Sequence, residues 1–134
     1  MNRTHLEGAA EALAAQQGYA FHTGPEDGMA HTVRSYPAAW LAPLELHAVE
    51  GRGHGRATYD MTLHLLSSGA RLSPTERRAA LTRMEEQLLE IFAALSLDER
   101  VLAVEGLSVR PRAFALTPHG EISQTAAARI VTFF

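Results

Sequence analysis

The chain has 134 residues, of which 46% are hydrophobic and 20% charged, with no cysteine and a formal net charge of −3. This length predicts a single domain over residues 1–134, and the hydrophobic fraction excludes a disordered tail. The lack of cysteine excludes disulfides, thiolate metal ligands and thiol nucleophiles. Because acidic residues slightly outnumber basic ones, nothing drives the chain electrostatically toward nucleic acid, and no direct nucleic-acid binding is expected.

The N-terminal segment predicts a helix that begins at Thr4 and ends near Gly18. Thr4 and Glu7 have the spacing of a capping box, in which the two residues satisfy backbone N–H groups of the first turn. Glycine is the usual residue just past the end of a helix. The sequence has no apolar stretch typical of a signal peptide, and none near the ~20 residues of a membrane span. We therefore expect a protein that is made and kept in the cytoplasm, without membrane contact.

A β-hairpin is predicted in the middle of the chain. Apolar and polar residues alternate along both arms, which is typical of strands with one buried and one solvent-exposed face. The residues expected in the core are Leu44, Leu46, Ala48, Tyr59, Met61, Leu63 and Leu65. Pro37 and Pro43 flank Trp40, and because proline cannot donate to a strand ladder they indicate a strand that is bent or lies at a sheet edge.

The connection between the two arms, Gly51–Arg56, is rich in glycine and carries Arg52, His54 and Arg56. Such a segment can approach a phosphate closely, but a phosphate-binding loop is followed by a helix whose N-terminal amides hold the anion. Here a strand follows. We therefore expect a flexible hairpin tip, while contact of its basic side chains with an anion or a partner stays open.

The chain contains seven histidines, which raises the question of a metal site. His47 and His64 lie on opposite arms of the hairpin. On each arm a carboxylate is an even number of residues away and is expected on the same face, Glu45 with His47 and Asp60 with His64. A zinc site needs three or four ligands that converge at ~2.0–2.2 Å, and cross-strand pairing brings together two at most. Two surface histidines and no bound metal are therefore expected.

A long helix of about 22 residues is predicted after the hairpin. Ser73 is the expected N-cap, Pro74 stands at the first helical position, and Glu76 completes a capping box. One face is apolar and is expected to cover the sheet, with Leu81, Met84, Leu88, Ile91, Phe92 and Leu95. The opposite face is charged and is expected in solvent.

The C-terminal third predicts three strands. The first runs from Val101 to Val109 with a bulge at Glu105–Gly106, and the second is short, from Arg112 to Leu116. The third follows a tight turn at Thr117–Gly120 and is apolar on both faces toward its end. Its two final aromatic residues, Phe133 and Phe134, are expected to be covered within the domain or by a neighbouring subunit.

These elements predict an α+β fold. One layer of mostly antiparallel sheet, containing the long hairpin, is expected to pack against the long helix and the short N-terminal helix. Catalytic constellations are not apparent: the adjacent Glu85 and Glu86 point about 100° apart on a helix, and the serines lack the context of an activated nucleophile. We therefore expect neither an enzyme nor a cofactor.

Most of the chain, from about Pro37 to Phe134, resembles a known group of proteins. The segments that carry the resemblance are HGRATYDMTLHLL, LSPTERRAALTRMEEQLLEIFAALSLDERV and LTPHGEISQTAAARIVTFF. In their order they are similar to the small tail-component proteins of tailed bacteriophages and prophages, the group that includes tail terminators and minor tail proteins. The resemblance implies a non-enzymatic protomer that forms a ring, commonly a hexamer, at the end of the tail tube. Its implied location is the bacterial cytoplasm during assembly and then the virion tail.

Several partners and contacts follow from this interpretation. The implied partners are further copies of the chain and tail-tube or head-completion proteins. We expect self-association through sheet edges and apolar ends, and the candidate contact residues are Trp40, Arg52, His54, Arg56, Phe133 and Phe134. Two alternatives stay open: a small-molecule or anion-binding α+β module that uses the sheet face and the arginine-rich tip, and an enzyme whose site is built from scattered surface residues.

Overall fold

The computed structural model of the protein describes residues 2–112 and 115–134. Its helices are α1 (Asn2–Gln16), α2 (Met29–Thr32), which follows a short 3-10 turn, and α3 (Pro74–Leu95). Its strands are β1 (Ala20–Thr23), β2 (Ala38–Leu41), β3 (Glu45–Gly51), β4 (Gly55–Ser67), β5 (Val101–Pro111) and β6 (Ile122–Phe133). The predicted α+β class, with one mostly antiparallel sheet, a long hairpin and one long helix, is confirmed.

All six strands belong to one sheet with the order β1-β2-β4-β6-β5, and β3 pairs with β4. The β1–β2 pair is parallel and the other pairs are antiparallel. β2 pairs with β4 from Leu63 to Leu66, and β3 pairs with β4 from Gly55 to Asp60. β2 and β3 therefore follow one another along the same side of β4.

Of the two alternatives predicted for the Trp40 strand, bent or at a sheet edge, the edge position is wrong, whereas the arm is interrupted between β2 and β3. β2 lies between β1 and β4, and all four of its residues are buried. The edge is β1, a four-residue strand that the sequence analysis missed because it is too short to show a period. The two prolines lie where the strand begins and ends: Pro37 precedes β2 and Pro43 lies in the break between β2 and β3.

One face of the sheet is covered by α1 and α3 and holds the main core. Along β4, Tyr59, Met61, Leu63 and Leu65 are buried, which confirms the alternation predicted for this arm. The apolar face of α3 is buried as predicted, apart from the half-buried Leu81. The capping box is also confirmed, because the Ser73 hydroxyl accepts from the Glu76 N–H and the Glu76 carboxylate accepts from the Ser73 N–H, each at 3.1 Å.

The core positions predicted for the first hairpin arm are wrong for β3. Leu44, just before β3, is buried, but every residue of β3 is exposed, including Leu46 and Ala48. α3 packs on β5 and β6, and α1 packs on α3, β1 and β2. β3 lies beside the N-terminal half of β4, beyond this cover. Leu46 and Val49 face the helix side without a helix above them, whereas Ala48, the register partner of Thr58, faces the other side.

The other face of the sheet is covered at one end only. Met29 and Val33, from the α2 segment, pack on Ala38, Trp40 and Leu66 to form a second, smaller core. The remainder of this face, over β4, β6 and β5, is the open face. It bears a central row of cross-strand neighbours, Thr62, Ala127 and Ser108, which have small side chains.

The C-terminal strands agree with the prediction at the bulge of β5 and differ from it in the short strand. The bulge in β5 is confirmed by a register shift between Glu105 and Ser108. The predicted short strand at Arg112–Leu116 does not form at residues 112, 115 and 116, and residues 113–114 lie outside the described residues. β6 is an interior strand between β4 and β5 rather than an edge, so its apolar character on both faces belongs largely to the centre of the sheet.

Candidate functional site

Four half-exposed apolar side chains lie at the end of the sheet near the hairpin tip, and they are divided between its two faces. Leu46 and Val49 of β3 are 50% and 55% exposed, and Phe133 and Phe134 are 44% and 45% exposed. We call these four residues the apolar end. Val49 is the register partner of Ala57, and Phe134 exchanges two backbone hydrogen bonds with Gly55, of 3.0 and 3.1 Å, so both side chains are on the helix side of the sheet, as is Leu46. Phe133 is the register partner of Arg56 and is on the open face.

The backbone beneath the apolar end is fixed by polar contacts. The Asn2 side chain at the start of α1 donates to the Thr132 hydroxyl at 3.0 Å and to the Phe133 carbonyl at 3.1 Å. The Thr132 hydroxyl in turn donates to the Ala57 carbonyl at 2.7 Å. The two exposed aromatic side chains therefore project from a backbone that is tied to both α1 and β4.

Glycine is required at two positions of the hairpin tip because a side chain there would collide with the backbone. Gly51 has a positive φ of 105°, and a Cβ there would lie 2.3 Å from the His54 carbonyl oxygen. A Cβ at Gly55 would lie 1.9 Å from the Glu50 carbonyl oxygen, closer than any real contact. The tip is thus a tight turn, closed by a hydrogen bond of 3.2 Å from the Arg52 N–H to the His54 carbonyl.

The predicted contact residues are distributed unequally over the surface. Arg52 and His54 are exposed at the tip, and Arg56 is exposed on β4, where it is the register partner of Phe133. Trp40 does not belong with them, because it is 2% exposed and its indole N–H donates to the Gly24 carbonyl at 3.0 Å. Trp40 is a core residue of the second face and is not available to a partner.

The expectation of two surface histidines is wrong for His64. His64 is 1% exposed on the second face, and its Nδ1 lies 2.7 Å from the Thr125 hydroxyl. Its Nε2 lies 3.3 Å from a carboxylate oxygen of Glu26, but without the geometry of a hydrogen bond. His47 lies elsewhere, on exposed β3, 3.4 Å from Asp60, so the two histidines do not form a common site.

Burial favours the neutral form of the His64 imidazole. Desolvation lowers the pKa of its imidazole below the usual value, the Glu26 carboxylate opposes this shift, and the positive charge of Arg112 adds to it. A neutral imidazole that keeps its proton on Nε2, facing Glu26, leaves Nδ1 to accept from the Thr125 hydroxyl.

The series Glu26–His64–Thr125 places a carboxylate, an imidazole and a hydroxyl in line, an arrangement that the sequence spacing did not reveal. In enzymes such a series activates the hydroxyl as a nucleophile, provided that both contacts are hydrogen bonds. Here the carboxylate contact lacks that geometry. The series joins the segment around Glu26 to β4 and β6.

The open face bears a groove of about 510 Å³ beside Thr125. We call it the arginine groove, since two arginines line it; its lining residues are Ser108, Arg110, Pro111, Arg112, Ala115, Leu116, Thr125 and Ala127. The sequence carried one signal for it, the pair Arg110 and Arg112 at alternate positions, which projects two like charges to the same side of an extended chain.

Among residues 2–112 and 115–134, no three side chains of His, Asp or Glu come together as metal ligands do. No helix in this part of the chain is long and apolar enough to cross a membrane. No protein-family model matches the chain, and no curated protein is significantly similar to it in sequence. The surfaces described above are therefore the basis on which a function is proposed.

Proposed function

We propose that the protein is a structural assembly component of a phage or prophage tail, a tail terminator or minor tail protein, that forms a ring by self-association. The observation that carries the self-association is the apolar end. Four apolar side chains at one end of the sheet are about half exposed, three on the helix side and Phe133 on the open face, and apolar surface that is concentrated in one region of a soluble protein commonly marks an interaction site.

Burial of the apolar end would favour association. Completing the burial of one half-exposed Leu, Val or Phe side chain contributes about 1 kcal/mol. Two copies that each bury these side chains could therefore offset a part of the entropy lost on association. Because the backbone of the aromatic pair is already held by Asn2 and Gly55, little ordering is required.

The topology supports a contact that closes into a ring. The sheet ends in two unlike edges, the seven-residue β3 together with β1 on one side and the eleven-residue β5 on the other. A contact between two different surfaces of successive copies is head-to-tail. Such a contact gives a ring when the rotation from one copy to the next brings the last copy back to the first. The register shifts in β3 and β5 limit uncontrolled pairing of these edges.

The tail context comes from the sequence resemblance. It supplies the proposed partners, which are the end of the tail tube and head-completion proteins, and the proposed locations, the host cytoplasm during assembly and then the virion tail. Arg52, His54 and Arg56 stand beside the apolar end and are proposed to contact these partners.

Sedimentation velocity over a concentration series, with and without isolated tail tubes, tests the proposal. We expect the wild type to form a discrete oligomer, either alone or on the tubes. The double variant Phe133→Ser/Phe134→Ser should stay monomeric, whereas Leu89→Ser, which removes a 47% exposed side chain from α3, should behave as the wild type. A wild type that stays monomeric at high concentration and does not bind tubes would contradict the proposal.

The alternative function, an anion-binding module without catalysis, is favoured by one observation, the arginine groove. This groove lies at the opposite end of β6 from Phe133 and Phe134. Ligand binding by a monomer, without self-association, would favour that alternative.

A further inference from the structure

The arginine groove carries charge that the described residues do not neutralise. No carboxylate in residues 2–112 and 115–134 lies within 4.0 Å of the guanidinium of Arg110 or Arg112. Arg129 on the same face differs, because it lies 3.7 Å from Asp60. An anion in the groove would supply the missing counter-charge.

The two arginines are held side by side. Arg110 belongs to β5, where it is the register partner of Thr125. The N–H of Arg112 donates to the Ser123 carbonyl at 3.1 Å, which continues the ladder past the end of β5. Like charges that share one side of a strand repel each other, and one oxyanion that accepts from both guanidinium groups removes this repulsion.

The rest of the lining fits an apolar group. Pro111, Ala115 and Leu116 supply apolar surface, while Ser108 and Thr125 supply hydroxyls. The volume of about 510 Å³ lies within the range of small-molecule sites, roughly 300–1,000 Å³, which are mostly apolar with a few polar groups that orient the ligand.

We propose that the arginine groove binds a small amphipathic anion, an oxyanion joined to a short apolar chain. Arg110 and Arg112 hold the oxyanion by charge-assisted hydrogen bonds, and Leu116 contacts the apolar chain. The chemistry of the oxyanion is that of a carboxylate or a phosphate monoester, both of which match the planar fork of arginine.

A local reporter of occupancy lies beside the groove. The Thr125 hydroxyl, which lines the groove, is hydrogen-bonded to His64, and Arg112 is close enough to influence the charge state of that imidazole. An anion that neutralises Arg112 should therefore change the ring resonances of His64. A ligand at the apolar end, at the far end of β6, should not.

Calorimetric titration with octanoate, octyl phosphate, octanol and inorganic phosphate tests the proposal, with the His64 ring followed by ¹H–¹⁵N NMR. We expect saturable binding of octanoate or octyl phosphate with a shift of the His64 resonances, and much weaker binding of octanol and of inorganic phosphate. The two amphiphiles distinguish a carboxylate from a phosphate ligand. In Arg110→Gln/Arg112→Gln the affinity should fall by about 10-fold or more, since two charge-assisted contacts are lost.

Arg78→Gln is the matched control, because it removes an exposed arginine from α3 without touching the groove, and its affinity should equal that of the wild type. Equal affinity in the double variant, binding that leaves His64 unchanged, or no binding of either amphiphile at millimolar concentration would overturn the proposal. Self-association is measured separately and does not depend on these results.

Discussion

The two arms of the central hairpin both direct apolar residues to the helix side of the sheet, but only β4 buries them. In β4 the apolar residues Met61, Leu63 and Leu65 are nearly inaccessible, whereas in β3 Leu46 and Val49 are half exposed. Both sets point to the helix side of the sheet, since Val49 and Leu46 are the register partners of Ala57 and Tyr59. Leu46 and Val49 are three residues apart and share a side because the register shifts between Leu46 and Ala48, whereas the burial of a side chain depends on whether a second layer reaches it.

The largest expected effect is on the free energy of unfolding when one apolar side chain is truncated in each arm. Leu63→Ala should lower it by about 2–5 kcal/mol, because Leu63 is fully buried between Leu41 and Ala126 and its removal leaves a cavity. Leu46→Ala should change it by less than about 1 kcal/mol, because half of that side chain already contacts water. Equal shifts of the two midpoints in chemical denaturation would contradict the difference between the arms.

A second effect concerns the turn that joins the arms. Gly55→Ala should destabilise the hairpin by roughly 1–3 kcal/mol, because the new Cβ would lie 1.9 Å from the Glu50 carbonyl oxygen and the two strands would have to separate. Gly53→Ala is the matched control: no atom lies within 4 Å of a Cβ at that position, and the change should be within ~0.5 kcal/mol. Thermal unfolding together with amide exchange of β3 measures the effect of each variant. Unchanged amide exchange in Gly55→Ala would show that the turn accommodates the new Cβ without separation of the strands.

The arms also differ in their histidines, which gives a pH dependence. Since burial lowers the pKa of His64 in the folded state, the unfolded chain binds a proton that the folded chain does not, between that lowered pKa and about 6.5. The free energy of unfolding should therefore fall as the pH drops below about 6.5, with a slope of at most about 1.4 kcal/mol per pH unit from this group. Above pH 6.5 its contribution should be constant.

Two variants test whether the pH dependence of the free energy of unfolding comes from the histidine of β4 or from that of β3. In His64→Gln the acid-side slope should be smaller, whereas in His47→Gln, on exposed β3, it should equal that of the wild type. Denaturation curves at several pH values between 5 and 8 provide the comparison. An unchanged slope in His64→Gln would mean that other groups produce the acid sensitivity.

Local signals in the sequence were sufficient for the long helix and for β4. The cap at Ser73 and the apolar face of α3 are encoded within a few residues, and the period of β4 extends over 13 residues. The features that were missed depend on segments distant in sequence. Whether Trp40 is central depends on β1, and whether His64 is buried depends on the segment around Glu26.

The candidate surfaces were predictable to different degrees for the same reason. The exposure of Phe133 and Phe134 follows from a strand that extends to the end of the sheet, and the sequence already indicated an apolar end there. The arginine groove is formed when β5 and β6 pair and place Arg110 beside Thr125. No short stretch of sequence contains both, and the alternate spacing of Arg110 and Arg112 alone does not show what lies opposite them.

The smallest expected effect on the free energy of unfolding is that of Val49→Thr. This variant tests whether the Val49 side chain contributes to folding or to association. Val49→Thr keeps the shape and β-branching of the side chain and replaces a methyl by a hydroxyl that can reach water. At 55% exposure the change should alter the free energy of unfolding by no more than ~0.5 kcal/mol. In the proposed assembly the same hydroxyl would be buried without a partner, at a cost of about 1–3 kcal/mol per contact. For this variant we therefore expect an unchanged free energy of unfolding at low protein concentration and a weaker association in sedimentation at high concentration. If both are unchanged, β3 lies outside the contact and Phe133 and Phe134 must mediate it alone.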